Sequence, residues 1–368
     1  MKQAELERIS DILQRAATPE DVFGKLVGTP EEMLEEGQVL FRQMAKVTHP
    51  DLYAATAERT RANQVFTQLS RLWEQARAKI ASGTYGVQSD VTPFTLHTST
   101  TTCTVTRLLA RGDICALYAG HAVGLGPRVL KIPLQPTDND LLANEARILK
   151  RLQANRDYAR LRYFVSQLTE HFAYQETRAG ITRQINMLTY LDGLYTLKEV
   201  RAAYPQGVDP RDMAWMWRRL LVALGFAHAS GVVHGAALPP HILIQPREHG
   251  VVLIDWCYAV REGERISAIS SAYRAWYPAE VFAHEEPLPG LDIAMAARCM
   301  VELLGGDPLK QTLPASVPWQ LASYLQGCML ANPSQRPQDA RRLLSDFDEL
   351  IARLWGARAF RAFVMPVS

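Results

Sequence analysis

The stretch from Gly231 to Cys257, GVVHGAALPPHILIQPREHGVVLIDWC, gathers groups that can do chemistry. It carries two imidazoles, His234 and His241, and one carboxylate, Asp255, which closes an apolar run. Imidazole is a poor magnesium ligand, so His241 suits a transition metal, although no second ligand is clustered beside it in sequence. Between the carboxylate and the first imidazole stands Ala236, whose methyl group can neither accept a proton from a hydroxyl nor orient one. A second candidate lies far upstream at His49-Pro50-Asp51, a polar turn between two amphipathic segments. The five cysteines, Cys103, Cys115, Cys257, Cys299 and Cys328, are scattered and odd in number, which argues against a disulfide framework or a zinc site.

Around these residues the composition is that of a folded chain. At 368 residues it has room for about two to three domains of roughly 150 residues. With 48% hydrophobic and 21% charged residues it can build sizeable cores, and a net charge of +2 supports no nucleic-acid footprint. The charge-alternating start MKQAELERISDIL lacks a signal-peptide core, and no window reaches the roughly 18 apolar residues of a membrane span. A cytoplasmic protein with no membrane partner is the expectation.

Helical spacing of Leu6, Ile9, Ile12 and Leu13 predicts a first short helix. Thr29-Pro30-Glu31-Glu32 opens a second that runs to Val47, and proline stops it at Thr48-His49-Pro50-Asp51. A third spans about Ala57 to Ile80, with Val65, Phe66, Leu69, Leu72, Trp73 and Ala76 on one face. FRQMAKVTHPD followed by NQVFTQLSRLWEQA resembles the J-domain of DnaJ-type co-chaperones. The resemblance implies that His49, Pro50 and Asp51 stimulate a DnaK-type ATPase, with Arg42 and Lys46 offering it positive charge. The first helix of such a domain is short here, and Glu35 and Glu36 share the second with those basic residues.

The Gly231–Cys257 stretch resembles the catalytic loop and metal-binding turn of protein kinases, usually His-Arg-Asp-Leu-Lys-Pro-Glu-Asn and then a strand ending in Asp-Phe-Gly. On that pattern His234 and Asp255 match, while Ala236 takes the place of the catalytic Asp and His241 that of the second metal-binding Asn. LLARGDICALYAG (108–120) matches the glycine-rich loop with only Gly112 kept. Lys131 in RVLKIPL matches the phosphate-holding lysine, and Glu145 in LLANEARILKRL its acidic partner. INMLTYLDG resembles the hinge, with Leu188 as gatekeeper and Thr189 to Leu191 offering backbone groups to an adenine. The resemblance further implies that Asp292 bonds the catalytic-loop backbone and that Glu280 and Arg336 form a buried pair. His228 reads as a core residue, and Ser267, Ser270, Ser271 and Tyr273 lie between Asp255 and Glu280.

The expected fold is therefore α+β and multidomain: an all-α J-domain hairpin, then a two-lobed protein-kinase-like fold with a β-rich N-lobe and an α-helical C-lobe. The divisions are an N-terminal helix at 1–19, a J-domain at 20–81, a linker at 82–97, an N-lobe at 98–188, a C-lobe at 189–355 and a tail at 356–368. The linker rests on SGTYGVQS, the N-lobe on a strand across the Thr-rich run 98–106, and the tail on a docked helix continuing to Val364. The functional expectation is a co-chaperone that recruits a DnaK-type chaperone, coupled to a pseudokinase that senses nucleotide or binds a client. ATP with Mg2+ would be held through Lys131, Glu145 and Asp255. A divergent active Ser/Thr protein kinase regulated by its J-domain is the alternative, and a plain scaffold a third.

Overall fold

The computed structural model of the chain describes residues 2–16, 19–24, 26, 28–53, 56–81, 85, 93–176 and 180–365. The chain divides into two compact units, Met1–Ser89 and Asp90–Ser368.

The first unit is helical: α1 (Lys2–Arg15), α2 (Glu20–Phe23), α3 (Pro30–Thr48) and α4 (Thr56–Ala81). Thr29 caps α3 in a reciprocal box, its hydroxyl accepting from Glu32 N at 3.2 Å while the Glu32 carboxylate accepts from Thr29 N at 2.7 Å. Phe41 stacks on Trp73 at 5.7 Å and His49 meets Phe66 edge-on at 5.5 Å, so rising positions on α3 meet falling ones on α4 and the two helices run antiparallel. Gly37 permits that approach, because a Cβ there would lie 2.7 Å from the Trp73 ring. Leu6, Leu13, Phe23, Val65, Leu69 and Ile80 complete the core.

Of the expected linker, Tyr85 belongs to this core and its hydroxyl donates to the Gly24 carbonyl at 2.9 Å. The rest of Ser82–Ser89 lies outside the described residues. The second unit begins earlier than the boundary at 98 requires, because β1 (Phe94–His97) already pairs with β2 (Thr102–Arg111). The Thr-rich run is a strand only from Thr102. Thr98–Thr101 is a turn, where the hydroxyls of Thr98, Ser99 and Thr100 donate to Glu170 and compete with ladder pairing.

The sheet continues with β3 (Cys115–Ala122), β4 (Gly126–Pro133), β5 (Leu168–Glu176) and β6 (Ile181–Thr189), in the order β1-β2-β3-β4-β6-β5, antiparallel throughout. α5 (Asn139–Gln153) and the short α6 (Tyr158–Leu161) lie between β4 and β5 in the chain. After β6 the chain enters a mostly helical half: β7 (Tyr195–Thr196), α7 (Leu197–Ala203), α8 (Pro210–Ala229), β8 (Val232–Val233), β9 (Ile242–Gln245), β10 (Gly250–Leu253), β11 (Val260–Arg261), α9 (Ala279–Phe282), α10 (Pro289–Leu303), α11 (Trp319–Cys328) and α12 (Ala340–Trp355). α8 and α10 are apolar nearly all round, so both are buried as central helices.

The terminal helix stops short of the expected Val364. Gly356, at φ 77°, ends α12, and the following residues dock without helical structure. Phe363 packs against Tyr204 and Trp215, and Arg361 pairs with Asp209 and Asp212. All five cysteines are buried and free. Among the described residues no helix is long and apolar enough to cross a membrane.

Candidate functional site

The pleat of β4 turns Lys131 inward, and α5 brings Glu145 beneath it. The Lys131 ammonium lies 3.0 Å from Glu145 Oε1 and 2.6 Å from Asp255 Oδ1, with all three groups largely out of solvent. Glu145 is held on every side: Oε1 also accepts from Trp256 N at 3.1 Å, and Oε2 accepts from the Asn186 amide at 2.8 Å. Burial alone would drive Lys131 toward its neutral form, but the facing carboxylates of Asp255 and Glu145 outweigh it and keep the ammonium charged. Burial likewise opposes charge on Asp255. Lys131, then His241, overrides that and holds its carboxyl well below the usual range. Asp255 sits at φ 63°, a left-handed conformation uncommon outside glycine.

The loop from His234 to His241 is anchored from below by Asp292 on α10. One Asp292 oxygen accepts from His234 N at 2.7 Å and the other from Gly235 N at 2.8 Å. His228 is more than a packed core residue, since its Nε2 lies 2.9 Å from the same carboxylate. Gly235 is required by its φ of 71° and by the Tyr258 carbonyl, 2.8 Å from where a Cβ would sit. His234 places Nε2 3.0 Å from the Ile254 carbonyl and takes the Ala236 N–H on Nδ1 at 3.2 Å. One nitrogen must donate and the other accept, so the ring is neutral, and burial pushes its pKa down to about 4.

Ala236 is 0% exposed, as are Ala237 and Leu238, so this part of the loop is packed hydrocarbon. His241 donates from Nδ1 to the Ala236 carbonyl at 2.9 Å and turns Nε2 toward Asp255 Oδ2 at 3.2 Å. The site thus holds an ammonium between two carboxylates and an imidazole against one of them. No proton acceptor stands at position 236.

The β2–β3 turn with Gly112 is tied down rather than open. Gly112 N donates to Cys115 O at 2.9 Å, and the neighbouring Asp113 carboxylate receives donors from Ser270, Ser271 and Ala272. Leu188 is buried. Thr189 already donates its N–H to the Gln167 carbonyl at 3.0 Å, so that donor is not on offer to an adenine; Leu191 is half-buried. Arg336 pairs with Glu280 through both guanidinium arms in the helical half. In the first unit Arg42, Lys46, His49 and Asp51 are exposed, and Asp51 N donates to His49 Nδ1 at 3.4 Å.

Sequence reasoning missed several supports. Asn186, an amide inside the apolar run INMLTYL, was a visible signal of a buried polar partner, and it holds Glu145. Asn144 donates to the carbonyls of Cys257 and Ala259 at 3.0 and 2.8 Å, fastening α5 to the segment after Asp255. Trp256, fully buried, packs edge-on against His234 at 4.6 Å. Nothing local marked Asp113, whose partners are more than 150 residues away.

No family model matches the chain, and no curated protein matches it either. The structure of vaccinia related kinase 3 superposes with a TM-score of 0.57 at 16% identity, covering 73% of this chain and 93% of that one. The second unit has a protein-kinase-like fold. Identity this low carries the architecture alone, and no match assigns the first unit to a family. The sheet half is the N-lobe of that fold and the helical half its C-lobe. Kinase-like folds typically bind ATP with Mg2+, and the residues here fit that pair unevenly. Lys131 and Asp255 offer an ammonium and a carboxylate oxygen. The group beside Asp255, however, is an imidazole nitrogen, whereas magnesium needs oxygen.

Proposed function

We propose that the second unit is a pseudokinase, a kinase-like scaffold that senses nucleotide or binds a protein partner, joined to a first unit that recruits a DnaK-type chaperone and stimulates its ATPase. The observation that carries this reading is Ala236, a fully enclosed methyl group where a working kinase keeps a carboxylate. A positioned base is worth about 10²–10⁴ in rate, and here its loss coincides with a changed metal ligand and an immobilised turn at Gly112. The contacts that hold the fold, Glu280–Arg336 and Asp292 to the loop backbone, are meanwhile kept.

Support for chaperone recruitment comes from the first unit: His49-Pro50-Asp51 lies at an exposed turn between two antiparallel helices, with Arg42 and Lys46 exposed on the helix before it. The test is the steady-state ATPase of a DnaK-type protein. Stimulation that disappears with His49→Gln supports the reading, and no stimulation at saturating protein refutes it.

One observation favours a second reading, a divergent active Ser/Thr kinase: the Lys131, Glu145 and Asp255 constellation is closed and charged. Incubation with labelled ATP and metal separates the two. Label on the protein or a partner, abolished by Asp255→Ala, establishes phosphotransfer. Thermal stabilisation by nucleotide, about 2.7 kcal/mol at a hundredfold excess over Kd, reports binding without turnover.

A further inference from the structure

We propose that His241 and Asp255 form the protein half of a site for a first-row transition-metal dication, taking Mn2+ or Zn2+ in preference to Mg2+. This does not depend on whether the unit transfers phosphoryl groups.

The first argument is the placement of protons. His241 Nδ1 faces the Ala236 carbonyl at 2.9 Å, so that nitrogen must donate. That leaves Nε2, on the other side of the ring, facing Asp255 Oδ2 at 3.2 Å. A backbone carbonyl fixing the far nitrogen, so that the near one aims at an ion, is the usual support of a metal-bound histidine.

The second argument is spacing. Nitrogen and oxygen ligands about 2.0–2.2 Å from one first-row ion, on neighbouring corners of a tetrahedron or octahedron, lie roughly 3–3.5 Å apart. The observed 3.2 Å falls in that range. Both side chains keep some solvent exposure, 12% and 18%, so an ion can reach them.

The third argument is what the neighbours leave available. Asp255 Oδ1 is taken by Lys131, which restricts the ion to Oδ2. Glu145 is used by Lys131, Trp256 N and Asn186, and the thiol of Cys257, close to both carboxylates, is fully buried, unlike His241 and Asp255. Two protein ligands remain, one nitrogen and one oxygen, and solvent or the phosphate oxygens of a nucleotide complete the shell. Magnesium demands oxygen in octahedral array, whereas imidazole suits zinc and tolerates manganese.

The experiment uses the full chain stripped of metal, with Mn2+, Zn2+ and Mg2+ titrated separately and binding read by calorimetry. Pulsed electron paramagnetic resonance of bound Mn2+ reads directly coordinated nitrogen. The expected result is Mn2+ and Zn2+ affinity at least tenfold above Mg2+, a ¹⁴N coupling on Mn2+, and loss of both in His241→Asn with Mg2+ affinity unchanged or raised. Should that variant unfold, His241→Gln, which retains an N–H for the Ala236 carbonyl, carries the same test. A nitrogen coupling that survives the substitution places the ion on another histidine and overturns the proposal. So does equal affinity for the three ions in the unsubstituted protein, which leaves the imidazole no part in the choice of metal.

Discussion

Asp113 grips Ser271 across the two lobes: the single oxygen Oδ2 accepts the Ser271 N–H at 2.9 Å and its hydroxyl at 3.1 Å. The same oxygen takes the Ser270 hydroxyl at 3.0 Å and the Ala272 N–H at 3.4 Å. Partial burial opposes charge on Asp113, but these donors outweigh it and hold its carboxyl below the usual range. The β2–β3 turn is therefore fastened to the segment between Asp255 and Glu280. Asp113→Ala should release both ends. Amide exchange at Ser271 and Ala272 is expected to rise while that of α8 and α10 stays at its original rate, since those helices share no contact with the carboxylate.

The Glu280–Arg336 pair is buried, and Arg336 also donates to the carbonyls of Leu330 at 2.6 Å and Ala331 at 3.1 Å. Glu280→Ala strands the guanidinium in the interior. The expected loss is about 3–5 kcal/mol, measured by denaturant unfolding of the second unit. Replacing both partners with apolar residues should recover part of it, because the stranded charge is then gone.

Lys131→Met leaves Glu145 and Asp255 facing one another without a cation. The cost near neutral pH should again be about 3–5 kcal/mol. In the unsubstituted protein the depressed carboxyl of Asp255 contributes stability that is present above about pH 3.9, its unfolded value, and lost as pH falls. In the variant, like-charge repulsion instead raises one carboxyl, so protonation on acidification stabilises the fold. The deficit between the two proteins should shrink from pH 7 toward pH 4, and unfolding free energies across that interval check it.

His234 is fully buried and neutral, with its pKa pushed down to about 4 by burial. Between about pH 6.5 and that value the unfolded chain takes up a proton that the folded one refuses, so stability falls as pH drops through this window. The expected contribution is about 3 kcal/mol across the interval. His234→Asn should lower stability at every pH and flatten that slope.

Ala236→Asp, the change that restores a carboxylate to the loop, should not create a kinase. Position 236 is fully buried, and an unpaired carboxylate there costs several kcal/mol or stays protonated. A lowered thermal midpoint with no transfer from labelled ATP is the expected pair of results.

Much of this arrangement was legible before folding. The capping pattern Thr29 to Glu32, the proline after His49, the alternation around Lys131 and the loop spacing from His234 to Asp255 are local, and local physics writes them into consecutive residues. Three features were not legible. The Thr-rich run reads as strand by composition, yet its first four residues turn because Glu170 lies across from them. The tail after Trp355 reads as helix by periodicity, yet Gly356 ends it and Phe363 finds a place beside Tyr204 and Trp215. The donor at Thr189 is taken by Gln167.

By itself the sequence determined which side chains stand along the Gly231–Cys257 stretch, a methyl group at 236 and imidazoles at 234 and 241. Only the tertiary structure decided which way those groups face: that the methyl is sealed in, that His241 turns Nε2 toward Asp255, and that Asp113 closes on Ser271. The reason is that residue identity is a property of the chain, whereas the partner of a carboxylate is chosen by whatever packing brings within about 3 Å of it.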